Sequence, residues 1–384
     1  MHLTPHPRSG LTGPAAPGIR ARRLPWRALP MSALLLLAAI GLGGFATGCS
    51  TTMGYYWQAL DGQMALVRQA RPIGEVISDP LTGDALKLKL ERVREIRAFA
   101  SRELGLPDNG SYRRYADLKR RFVVWNVFAA PEFSIEPKEW CFPVAGCVGY
   151  RGYFDEAGAQ AFAKDLAKQG MDVYVGGVPA YSTLGWLDDP VLNTFIHYPE
   201  AELARLIFHE LSHQVAYAPG DSMFNESFAV SVENEGVERW IARHGTPEQR
   251  IAFEAAQRRK TDFAQLVTTY RDRFAAAYAA SSDAAERRAV KERLQAEMRA
   301  DYARLKERSW GGFAGYDWWF EQPLNNAQLA SVALYTELVP GFERLLAECD
   351  RDLLQFYARV KELAKLPEAE RRAQLGVEGV AAAE

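Results

Sequence analysis

The string His209-Glu210-Leu211-Ser212-His213 constrains the fold of this 384-residue chain more than any other part of it. It fits H-E-x-x-H, in which two histidines hold zinc and the glutamate between them serves as general base. The spacing works only on a helix. Four residues advance about 6 Å and slightly more than one turn, so both imidazoles leave one face. The approach from Ala201 to Phe208 is made of good helix formers, with an apolar stripe at Leu203, Leu206 and Ile207 that continues to Leu211 and Val215. Pro199 and Glu200 suit its first turn, and Ala218-Pro219-Gly220 ends it. The motif is therefore expected on a half-buried helix.

A catalytic zinc takes three protein ligands and keeps a position open for water. A second helix is predicted from Asp221 or Ser222 to about His244, with Gly245 as its stop. Glu226 lies early on it, after a turn short enough to fold it back on the first helix. An Asn-Glu pair on the helix after H-E-x-x-H resembles the gluzincin peptidases, whose third ligand is that glutamate. The resemblance implies this role for Glu226, although the 13-residue interval from His213 is shorter than in the better-known gluzincins. Taken alone, Glu226 is also a first-turn carboxylate that the helix dipole favours. Glu233 shares its face two turns on. It is a candidate to orient a zinc histidine or to bind a substrate α-amine, against the plainer reading of a solvated face. Asp221 has similar claims.

Further strings widen the resemblance. They are Trp140-Cys141-Phe142-Pro143, Tyr150 to Asp155, Tyr181 to Trp186, Asp189-Pro190, Phe224 to Ala229 and Leu324-Asn325-Asn326-Ala327. With the H-E-x-x-H helix they resemble a family of bacterial lipoproteins assigned as zinc aminopeptidases, over about Tyr55 to Leu363. The resemblance implies a peptide substrate and one Zn²⁺ ion.

The N-terminus points to the same location independently. Arg20, Arg22, Arg23 and Arg27 form a basic region, and the apolar run Met31–Phe45 is short for a transmembrane helix. Small residues then lead to Cys49, as in lipoprotein processing. A signal peptide over 1–48, a lipid on Cys49 and a periplasm-facing anchor on the outer membrane of the cell envelope are expected. An ordinary secretory signal is the alternative. Lys and Arg number 46 against 48 Asp and Glu, and no polybasic patch invites nucleic acid. In an oxidising compartment Cys141 and Cys147, which enclose a short Pro- and Gly-containing loop, are expected to pair, leaving Cys349 as a buried thiol.

The expected fold is α+β and predominantly helical, with a zincin-like core, a small β-sheet and a long helical hairpin. Residues 49–75 form an anchor-proximal segment, 76–366 the catalytic domain, with the hairpin at about 247–308, and 367–384 a charged tail expected to fray. Strands are predicted at 121–128, 148–154 and 171–175, with a helix over 155–168 capped by Asp155. The Gly- and Trp-rich stretch 309–320 either covers a pocket or plugs a core. A helix through Tyr335 to Leu338 is expected to stop at Pro340. Tyr335 is a candidate oxyanion donor and Asn326 a candidate binder of substrate backbone. The rivals to an aminopeptidase are an endopeptidase or cell-wall amidase with the same site, or a non-catalytic envelope lipoprotein whose metal site is vestigial or structural, a structural zinc taking a fourth ligand from His197 or His244.

Overall fold

A computed structural model describes Gly62 and residues 64–142 and 146–376. The expected signal peptide and Cys49 lie outside these residues. The strands are short except for two. Val124–Pro131 (β3) is buried along nearly its whole length because both of its faces are covered. Trp125, Val127 and Ala129 pack on Ala159, Ala163 and Leu166 of helix α3 (Glu156–Lys168). Phe128 and Ala130 point the other way, to Ala327 and Leu334. β3 lies between Arg151–Tyr153 (β6) and Met171–Val178 (β7), antiparallel to both. A second sheet joins Arg71–Pro72 (β1), Arg114–Ala116 (β2) and Val191–Leu192 (β8).

β3 begins three residues later than the sequence predicts, because it pairs with β7 over the full span from Val124↔Val178 to Pro131↔Met171. Arg120 turns back instead, donating to the carbonyls of Val123 and Phe154. The strand predicted at 148–154 is split. Gly146–Val148 (β5) pairs with Trp140–Phe142 (β4), with Cys141 opposite Cys147 and a disulfide between them. Residues 151–153 join the main sheet. Asp155 caps α3 as expected, accepting from Gly158 N at 2.6 Å.

Helices supply the rest. Ile73–Ser78 (α1) and Asp84–Arg102 (α2) lead to Glu200–Ser212 (α4) and Ser222–His244 (α5). Leu90, Ile96, Phe99, Leu203, Phe208, Phe228 and Trp240 form the centre of the main core. Gly236 lets α5 approach α4, since a Cβ there would meet the Phe208 ring at 2.7 Å. Leu66, Ala70 and Ile73 also enter this core, so residues 64–75 pack with the domain although the sequence assigns them to the segment beside the anchor.

Pro247–Ala280 (α6) and Ala284–Arg308 (α7) make the predicted hairpin, broken at Ser281-Ser282-Asp283. A capping box between Thr246 and Gln249 starts it. Its own core holds Tyr270, Phe274, Tyr278, Met298 and Tyr302, and the aromatic stretch closes this core with Trp310, Trp319 and Phe320, the last two on the short helix Asp317–Phe320 (α8). That stretch is thus a plug, and none of its residues lines the cleft described below. Asn326–Ala333 (α9) ends before Tyr335. Pro340 does not stop a helix but sits in the first turn of Val339–Glu348 (α10), where its missing N–H costs nothing. Leu353–Leu363 (α11) follows, with Cys349 a buried free thiol just before it. The tail does not fray at once. Glu368–Gln374 (α12) is helical, and Arg371 reaches inward to Asp221 at 2.9 Å.

Two glycines separate backbone strain from collision. Gly170 has φ +79° and open space around it, so Gly170→Ala should cost about 1 kcal/mol from conformation alone. Gly146 has φ +76°, and a Cβ there would lie 2.3 Å from Gly220 N. Gly146→Ala should therefore lower stability clearly more than Gly170→Ala in parallel denaturant titrations.

Candidate active site

The site lies in the seam between α4 and α5. His209 is in the last turn of α4, and His213 is the residue that closes it. The helix ends three residues before the last position of its apolar stripe, Val215, but His213 keeps helical backbone angles, so the one-turn spacing survives. The chain then reverses through Ala218-Pro219-Gly220. Asn225 holds that turn: its Oδ1 accepts from Ala218 N at 2.8 Å and its Nδ2 donates to Ala218 O at 2.9 Å. Asp221 caps α5 by accepting from Phe224 N. It also pairs with Arg371, so it is structural and not a substrate group. Glu226, one turn into α5, comes back onto the histidines.

His209 Nε2 lies 3.1 Å from a Glu226 oxygen and 3.3 Å from His213 Nε2. One donor atom from each of the three residues falls within 4.8 Å of the others. His209 Nδ1 lies 2.8 Å from Glu233 Oε2. With Nδ1 donating to Glu233, Nε2 is the ring atom that faces Glu226 and His213, open to a second proton or a metal ion. Glu233 therefore bonds to a histidine ring and is not among the described residues that line the cleft below. Its other oxygen is held by Arg205 Nη1 at 3.0 Å and by Lys260 Nζ of α6 at 2.5 Å.

Electrostatics supports a cation here. Burial opposes charge on His209, yet the carboxylates on its two ring nitrogens outweigh this and drive it up to about 10. Burial likewise pushes Glu226 up, but His213 and His209 outweigh it and bring it down to about 2. Glu233 is held well below the usual carboxylate range, with Lys260, His209 and Arg205 overcoming its burial. Among the described residues Glu226 forms ion pairs only with His209 and His213, and either a proton or a divalent metal ion between the imidazoles would balance its charge. Two imidazoles and one carboxylate form a donor set that could hold a divalent metal ion.

Glu210 is not among these donors. It is buried, and burial pushes it up to about 7 against the pull of His209 and His213. It lines a cleft of about 570 Å³ together with His209, His213, Glu226 and Tyr335. The Tyr335 ring centroid is 6.3 Å from that of His209. Burial, then Glu226, keeps its hydroxyl protonated, well above its ordinary value.

Asn326 is elsewhere. Fully buried, it donates to the Pro131 and Glu132 carbonyls and accepts from Tyr278 O–H, so it fixes α9 to the end of β3. His197 is exposed, and His244 stacks on Trp240 at 4.1 Å. Neither joins the cluster, so the fourth ligand that a structural zinc would need is not among them. Arg205 and Lys260 are the site residues that the sequence reading missed. Arg205, one turn before His209 on the same face, carried a signal. Lys260, on the distant hairpin, carried none.

Removal of Glu233's bond to His209 is expected to weaken metal binding without erasing it. Glu233→Gln should lower the affinity for an added divalent metal ion by about 10–100-fold in a chelator competition. Glu226→Ala should reduce it much further.

Residues 54–375 match the profile of a protein family described as "Putative aminopeptidase". No curated protein and no solved structure matches the chain.

Proposed function

Since the chain belongs to the "Putative aminopeptidase" family, we propose that it is a zinc-dependent peptide hydrolase of gluzincin-like design. The observation that carries the proposal is the convergence of His209, His213 and Glu226 beside a buried carboxylate that binds none of them. These three residues would hold the zinc ion. When bound, the metal polarises the scissile carbonyl and makes water a stronger acid.

The chain's own groups do the rest. Glu210 accepts a proton from the attacking water and delivers it to the departing amine. Water is thereby added across the C–N bond: its oxygen and one hydrogen stay with the acyl product, and the second hydrogen leaves with the amine. The protonated Tyr335 hydroxyl donates to the carbonyl oxygen as that oxygen gains charge. Glu233, clamped by Arg205 and Lys260, keeps the His209 ring in one orientation throughout.

The family description favours action at a free N-terminus. One observation favours an endopeptidase instead. Among the described residues of the cleft, the only carboxylates are Glu210 and Glu226, and both have other work. None remains to hold an α-ammonium group. The same reading sets the enzyme at the cell envelope, facing the periplasm from a lipid on Cys49.

An amino-acid anilide and its N-acetyl form separate these cases. Cleavage of the free amine alone means aminopeptidase action, and cleavage of both means endopeptidase action. Glu210→Gln should keep its zinc and lose about 10²–10⁴-fold in kcat. Tyr335→Phe should lose about 10²–10³-fold with little change in KM. Zinc lost together with turnover in Glu210→Gln would count against the assigned role.

A further inference from the structure

Resting on the hydrolase reading above, we infer that the cleft receives a bulky apolar side chain of the substrate, and that the disulfide-closed hairpin β4–β5 forms one wall of that subsite. Besides the metal-binding residues, the cleft is lined by Phe142 and Val148 of the hairpin, Phe154 beyond β6, Val178 at the end of β7, Leu184 in the loop after it and Leu206 on α4, with neutral polar groups such as Asn126, Tyr181 and Ser182 among them. No Lys or Arg is among the described residues that line it. A carboxylate placed against these walls would lose water and meet no cationic side chain, and an ammonium would find no carboxylate besides Glu210 and Glu226. An apolar one would cover surface that the folded chain itself leaves uncovered.

The hairpin is built to stay in place. Cys141 and Cys147 tie its strands together directly beside Phe142 and Val148. Its Gly146 packs against the backbone of Gly220, in the turn that joins α4 to α5. The wall is thus fixed to the same turn that folds Glu226 onto the histidines, and side-chain recognition is held in register with the metal-binding residues.

The test measures binding and not turnover. Zinc-loaded Glu210→Gln protein is titrated calorimetrically with alanine tetrapeptides carrying one Phe, Lys or Glu at each position in turn. At one position Phe should bind about tenfold or more tighter than Lys or Glu. The preference should shrink in Leu184→Asp and in Val148→Asp, each made in the Glu210→Gln background and checked for unchanged zinc content. Leu184 is in a loop, so its variant remains informative if the strand variant fails to fold. Equal or tighter binding of Lys or Glu at every position would overturn the inference. So would undetectable binding of every Phe peptide, or a Phe preference untouched by Leu184→Asp. A Phe preference in a protein whose wild type cleaves nothing would keep the subsite and remove the hydrolase reading. Turnover by wild type without a Phe preference would do the reverse.

Discussion

A buried imidazole held between two carboxylates is the interaction on which the site depends. His209 meets Glu233 through Nδ1 and Glu226 through Nε2. One contact fixes the ring, and the other turns Nε2 toward a point shared with His213. Negative charge at this depth is tolerable only with positive charge close by. Arg205 and Lys260 supply it on the outer side of Glu233. On the inner side it must come from a proton or a metal ion.

The surrounding architecture serves that arrangement. Asn225 closes the turn that reverses the chain, and Gly236 removes the Cβ that would hold the two helices apart. The sheet contributes residues of β3, β6 and β7 to the cleft, and the turn that follows α9 brings in Tyr335. Even the long helical hairpin, whose surface reads as a plain charged pair, reaches the centre through Lys260. Its own aromatic core, closed by Trp310, Trp319 and Phe320, holds α6 and α7 together.

Much of this was legible in the sequence because it is local. The two site helices, the Asp221 and Asp155 caps and the hairpin break at Ser281 all follow from periodicity and capping chemistry over a few residues. The disulfide was legible from a short loop and an inferred compartment. The errors have one source, the pairing of segments far apart in sequence. β3 is displaced because β7 is longer than its composition suggests. The strand expected at 148–154 is divided between two sheets because Cys147 belongs to a closed hairpin. Asn326 is an anchor and not a substrate binder because the end of β3 lies beside it. The aromatic stretch could have been lid or plug until the hairpin core showed which surface it covers.

The sequence by itself determined the chemistry at the centre. Spacing along a helix fixes which side chains share a face, and His209, His213 and the separate Glu210 are already defined by that geometry. Tertiary structure alone decided the surroundings of these groups: that Glu233 turns to His209 and not to the cleft, that Lys260 and Arg205 hold it there, and that apolar side chains from separate elements line much of the cleft. Those facts depend on which distant surfaces meet, and burial rather than spacing selects among them.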